Sequence, residues 1–227
     1  MSEIAFNIDS IKKQIPASVR LVAVSKTRSV EDILIAYNSG QKCFGENKVQ
    51  ELLAKKDHLP ADIEWHLIGH LQTNKVKLIV PFINMIESVD SFKLLSVINA
   101  EALKVNRIIE CLLQVHIAKE ETKFGFSMNE LDNMMVSEEF MKLNSVRISG
   151  VMGMATFTND ENQVRNEFRD LAECFNKLRI SYFNSTPGFN EISMGMSGDY
   201  KIAIRQGSTI IRIGSLIFGE RKQTNKI

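Results

Sequence analysis

Eight short apolar runs, each followed by a helical pattern or a tight turn, recur along this chain, and that alternation narrows the folds open to it more than any other feature. The runs are LVAVSK (21–26), KCFGEN (42–47), EWHLIG (64–69), NMIESVD (84–90), RIIECLLQVHI (107–117), VRISGVMGMA (146–155), EISMG (191–195) and TIIRIG (209–214). They are short and rich in Val, Ile and Leu, which is the pattern of strands buried on both faces. Between them lie segments of helical period. Ser29 caps a helix through Tyr37 that ends at Asn38-Ser39-Gly40. Further helices are expected over 47–56, 73–80 with Pro81 as the stop, 91–104, and beyond Ser127. In 161–178, Val164, Phe168, Leu171, Ala172, Phe175 and Leu178 form one apolar stripe. A shorter helix is expected in 197–207, with Ser197 as N-cap and Gly207 as terminus, and another over 2–14, where Ile4, Ile11 and Ile15 share a face ahead of Pro16. Strands alternating with helices favour a parallel sheet, and eight of them favour closure into a single (β/α)8 barrel. A doubly wound open sheet is the alternative. No linker divides the chain, so residues 1–227 are expected to form one domain, and 44% apolar content suffices for its core.

Composition removes several function classes. The 28 Lys+Arg and 27 Asp+Glu nearly cancel, without a basic block, which argues against nucleic acid as the main ligand. The N-terminus lacks the basic-then-apolar layout of a signal peptide, and no stretch approaches the roughly 20 apolar residues of a membrane span. Cys43, Cys111 and Cys174 are isolated, odd in number and without a CxxC pair, so zinc and disulfides are not expected and a reducing cytoplasm is. His66 and His70 stand four apart but within a strand-like run, off a common helical face, so no metal site is expected. His66 reads as a hydrogen-bonded core residue, His116 as structural and His58 as a loop residue.

In a barrel of this kind the site lies at the C-terminal ends of the strands. Lys26 ends an apolar run. An amine in an apolar pocket has a lowered pKa, and the neutral form can attack an aldehyde to give an imine. A lysine at a strand end can equally be merely solvated. Loops after strands seven and eight frequently bind phosphate; here they read SMGMSGD and RIGSLIFG. Glycines admit close backbone approach and Ser197 can offer a hydroxyl, unless it is only a cap and Gly214 only a turn glycine. Arg212 shares a strand face with Gly214 and can donate to a pyridine-type nitrogen, keeping it unprotonated, or form a salt bridge at the mouth. The methionines at 152, 154, 194 and 196 are expected in packing, with Met194 near any bound ring. No P-loop, GxGxxG fingerprint or Gly-x-Ser-x-Gly elbow occurs.

The stretches VAVSKT (22–27), FGENKVQE (44–51), WHLIGHLQTNK (65–75), ETKFG (121–125), GVMGMAT (150–156) and the block from Ser193 to Arg221 together resemble the YggS/PROSC family of pyridoxal 5′-phosphate (PLP) homeostasis proteins over nearly the whole chain. The resemblance implies the barrel of the alanine racemase N-terminal domain. It implies that Lys26 bears PLP as a Schiff base, that Asn47 lines the cofactor site, that Arg212 faces the pyridine nitrogen, and that Ser193, Met194, Ser197, Gly214 and Ser215 surround the ring and phosphate. The family usually has tyrosine where this chain has Lys48, a departure at the rim of the site.

The resemblance further implies a cytoplasmic carrier and regulator of PLP, with apo PLP-dependent enzymes as recipients, rather than a dedicated enzyme. An amino-acid racemase of weak activity is the alternative, and a phosphate-binding barrel without PLP a third. Alanine racemase takes its second base, a tyrosine, from a separate β-domain. With Ile227 soon after the eighth strand, that domain is not expected here, a monomer is, and Tyr37, Tyr182 and Tyr200 fall at no expected strand end. In the polar loop 118–125, Lys123 is a candidate transient second PLP lysine.

Overall fold

The structure, a computed structural model, describes residues 2–118 and 124–220. Its eight strands are β1 (Arg20–Val24), β2 (Cys43–Glu46), β3 (Glu64–Leu67), β4 (Met85–Val89), β5 (Ile109–Gln114), β6 (Val146–Met152), β7 (Glu191–Ser193) and β8 (Ile210–Ile213). They run parallel in sequence order and close into a barrel through β1 and β8, where Val22 pairs with Arg212 and Ala23 with Ile213. All eight expected strands are present and the open-sheet alternative is excluded. Each strand is one to five residues shorter than its apolar run, in every case because the run continues past the strand into the loop at the barrel mouth and in some also because it begins before the strand does. His116 illustrates this: it lies beyond β5 and is exposed, so its alternation with apolar neighbours does not place it inside.

The helices are α1 (Glu3–Gln14), α2 (Val30–Asn38), α3 (Val49–Lys56), α4 (Val76–Ile79), α5 (Phe92–Lys104), α6 (Met128–Met135), α7 (Glu138–Met141), α8 (Glu161–Ser181), α9 (Tyr200–Arg205) and α10 (Ser215–Phe218), with a 3₁₀ turn at Thr73–Lys75 before α4. Serine hydroxyls set several starts. Ser29 accepts from the Asp32 amide, Ser91 from Leu94, and Ser127 forms a full capping box with Glu130. At α9 the expectation fails. Asp199, not Ser197, occupies the N-cap position, and Ser197 is left for the loop. The four-residue helices α7 and α10 are not foreseen in the sequence because so short a segment has no amphipathic period to read.

Side-chain alternation sorts the strands into two cores. Outward residues such as Phe44, Leu67, Ile86 and Leu113 are buried against the helices. Val164, Phe168, Leu171, Phe175 and Leu178 of α8 join them as the expected stripe. Inward residues Val22, Cys43, Met85, Leu112, Met152 and Ile210 form a separate apolar plug inside the barrel. Two residues further along stand Val24, Glu87 and Arg212 on their strands and Met154 just past β6, so the plug is the floor on which the site is built.

Gly150 allows the barrel to pass from β6 to β7. Its φ is +155°, and a Cβ there would lie 1.8 Å from the Glu191 carbonyl oxygen of its paired strand. The Gly150→Ala variant is expected to lose about 2–3 kcal/mol of stability, as an overpacked backbone contact does, read as a lowered urea midpoint with intact secondary structure.

Candidate functional site

A cavity of about 590 Å³ opens at the C-terminal mouth of the barrel, within the roughly 300–1,000 Å³ typical of small-molecule sites. Its wall is assembled from six strand ends: Val24 and Lys26 after β1, Asn47 after β2, Ile68 after β3, Met154 after β6, Ser197 and Asp199 after β7, and Arg212, Gly214 and Ser215 on and after β8. Lys26 is half-buried there.

Arg212 is 3% exposed. Its Nη1 donates to Ser193 Oγ at 2.5 Å and its Nη2 to the Gly153 carbonyl at 2.9 Å. Glu87, fully buried, stands 3.8 Å from Nη1, accepts from Ser193 Oγ at 2.5 Å and meets His66 Nδ1 at 2.6 Å. Arginine, serine, glutamate and histidine thus form one hydrogen-bonded layer directly above the apolar plug. Burial pulls the Arg212 pKa down, against Glu87 and Asp199, but a guanidinium keeps its charge in a protein. Burial also works against Glu87, yet His66, Arg212 and Ser193 outweigh it and hold the carboxyl below its ordinary range. For His66, burial favours the neutral ring; the Cys43 sulfur and the Glu87 carboxylate overcome that and raise its pKa from 6.5 to about 10. The layer therefore presents a fixed, charged guanidinium to the cavity.

On the far side of β8 from the β1 end, the loop after β7 turns back on itself. Gly195 has φ +95°, and a Cβ there would meet the Ala203 side chain at 2.5 Å. The Asp199 carboxylate accepts from the Met196 amide at 2.5 Å, and its own pKa is raised by burial. Ser197 Oγ faces the Gly214 amide at 3.4 Å. The Ser197 hydroxyl and the Gly214 amide, from two different loops, therefore meet at one corner of the cavity, a pair of donors of the kind that serves a phosphate.

Of the residues expected at a cofactor site, Lys26, Asn47, Ser197, Arg212, Gly214 and Ser215 line this one cavity. Two do not. Ser193 is wholly buried behind Arg212, which it orients. Met194, the first residue past β7, packs the other way into the core shared with the helices. Lys48 is exposed at the N-cap of α3 and does not line the cavity. His70 lies exposed at the mouth, bonded to Asp90 at 2.8 Å and stacked on Phe124. Lys123 lies outside the described residues. Sequence reading missed Glu87 and Asp199. For Glu87 a signal existed: a lone carboxylate at period two from Met85, inside a mostly apolar, fully buried strand.

These features define a closed parallel (β/α)8 barrel with a lysine, an arginine and a hydroxyl-and-amide corner around one small-molecule cavity at its mouth. The alanine racemase N-terminal domain family matches residues 1–222. A protein of Aquifex aeolicus named pyridoxal phosphate homeostasis protein is 40% identical over 89% of this chain and 87% of its own length. PipY of Synechococcus elongatus, solved with PLP bound, superposes with a TM-score of 0.87 at 34% identity, over 95% of this chain and 100% of that one. Alanine racemase of Clostridium difficile shares the fold alone, at TM-score 0.78 and 14% identity over 98% of this chain and 61% of its own. The chain belongs to the alanine racemase N-terminal domain family and, within it, to the pyridoxal phosphate homeostasis proteins.

His66 provides a test of the buried layer. A folded pKa raised from 6.5 to about 10 means that its stabilising contribution is full below about pH 6.5 and fades as pH climbs toward 10. Between about pH 6 and pH 9 the native protein is expected to lose about 1–3 kcal/mol more stability than His66→Gln does, measured by urea denaturation at both values.

Proposed function

We propose that this protein binds PLP as a Schiff base on Lys26 and serves PLP homeostasis as a carrier, not as a dedicated enzyme. One observation carries the reading: Lys26 shares its cavity with a buried arginine and with the hydroxyl-and-amide corner at Ser197, Gly214 and Ser215. A phosphate, a pyridine ring and an aldehyde need those three partners in one pocket of this size. The names of the relatives and the PLP-bound PipY structure support the same ligand.

Bound there, PLP supplies an electrophilic aldehyde. Lys26 would hold that aldehyde as a Schiff base, its amine nitrogen replacing the carbonyl oxygen, which would leave as water. Ser197 and the amides at 214–215 would hold the phosphate and Asn47 would line the site beside the ring. Arg212 would offer a charged donor to the ring nitrogen. A permanent cation there disfavours protonation of that nitrogen, which weakens the ring as an electron sink and therefore its use in carbanion chemistry.

The acid–base groups support the carrier reading too. Racemisation needs a proton donor and acceptor on both faces of the bound ring. The three tyrosines are engaged elsewhere, with Tyr37 on Asp62, Tyr182 on Asp132 and Tyr200 on Gln14, and none lines the cavity. Asp199, which does line it, is committed to the Met196 amide. Apo PLP-dependent enzymes fit as recipients of a cofactor held by a reversible bond.

Purified protein mixed with PLP is expected to develop a visible imine band that borohydride bleaches, with the reduced adduct mapped by mass to Lys26 and the band absent in Lys26→Ala. No band in the native protein at excess PLP would overturn the covalent anchor. Steady turnover of single L-amino acids, lost in Lys26→Ala, would overturn the carrier half.

A further inference from the structure

Behind β1, on the helix side of the barrel, lies a buried ionic cluster that the cavity does not touch. Glu46 is fully buried at the end of β2. Its Oε1 accepts from Lys55 Nζ of α3 at 2.8 Å and from Ser25 Oγ at 2.7 Å. Lys55 Nζ also donates to the Ser25 carbonyl at 3.0 Å and lies 3.4 Å from Glu51 Oε2. That same Glu51 oxygen accepts from the Thr27 amide at 2.7 Å. Both chain neighbours of Lys26 are therefore gripped from behind: Ser25 at its hydroxyl and carbonyl, Thr27 at its N–H.

Two further observations show that the grip is more than packing. Thr27 has φ +64°, a left-handed conformation that a β-branched residue adopts only when its surroundings impose it. Glu46 Oε2 is buried without a hydrogen-bond partner among the described residues. A buried ion pair with a spare oxygen is a poor source of stability, and apolar residues of similar volume often do as well or better. What apolar residues cannot do is hold the Ser25 carbonyl and the Thr27 amide in fixed directions.

We infer that Glu46, Lys55 and Glu51 are positioning residues for Lys26: an ionic clamp that fixes the Ser25–Thr27 turn so that the lysine amine enters the cavity at the angle its attack requires. The inference rests on the Schiff-base reading and adds to it the residues that set the rate of bond formation. A nucleophile held near its attack geometry gains most of its advantage from position, and small misplacement is heavily penalised.

The test separates position from pocket and from stability. Glu51 is partly exposed, so Glu51→Leu removes the Thr27 contact with little threat to folding, Glu51→Gln keeps an acceptor there, and Lys55→Met removes the centre of the clamp. For each, imine formation with PLP is followed by stopped-flow absorbance and by borohydride-trapped mass on Lys26. Affinity for pyridoxine 5′-phosphate, which has no aldehyde, and the urea midpoint are measured alongside. Glu51→Leu and Lys55→Met are expected to slow imine formation by about 10-fold or more, with pyridoxine 5′-phosphate affinity changed by less than about 2-fold and Glu51→Gln close to native. Unchanged imine kinetics in Glu51→Leu, whatever its stability, would overturn the clamp. So would parallel losses in both ligands, which would mean that the cluster shapes the whole pocket. A native protein that forms no imine removes the Schiff-base reading itself, and the clamp falls with it.

Discussion

Pairing of β1 with β8 is the constraint on which the site depends. Val22 lies beside Arg212 and Ala23 beside Ile213 across that seam, so the two ends of the chain's sheet meet. Closure satisfies the backbone groups that an open sheet would leave at its edges. It also brings Lys26, just past the first strand, against Gly214 and Ser215, just past the last. Because every strand is parallel, all eight C-terminal ends share one face, and a single cavity can draw on six of them.

Below the cavity the barrel changes character over one step of the strand period. Six apolar side chains plug the interior. Immediately above them sit Arg212, Glu87, Ser193 and His66, buried yet mutually bonded. Each charge there is unfavourable alone, and each is stabilised by the next, so the guanidinium is locked in direction as well as in charge. Alanine racemase of Clostridium difficile shares this barrel frame at 14% identity, and a frame by itself does not fix chemistry. The features that set this site are local: a buried, hydrogen-bonded guanidinium at the cavity wall, tyrosines bonded outside the cavity, and a turn at Lys26 held from behind.

The barrel was legible because short β-branched runs alternating with helical stripes leave few other ways to bury both kinds of face. Lys26, Ser197, Arg212 and Gly214 were legible because barrel strand ends converge and because phosphate loops have a recognisable composition. Ser193 and Met194 show the limit of that reasoning. They are adjacent residues, Ser193 the last of a three-residue strand and Met194 just past it, and alternation of direction sends one inward behind Arg212 and the other outward among the helices. A motif match does not resolve that parity. Ser197 fails as a cap for a related reason: the helix starts three residues later, at Tyr200, once the loop has turned at Gly195.

By itself, then, the sequence determined what depends on nearest neighbours and period: eight parallel strands, their order, the lysine at the end of the first and the glycine-rich loops at the end of the last two. Tertiary structure decided what depends on groups far apart in the chain. Glu87 lies between His66 and Arg212, and Glu46 grips Ser25 with the help of Lys55. A buried charge is defined by the partner that neutralises it, and that partner is chosen by barrel closure and helix packing, not by any spacing along the chain.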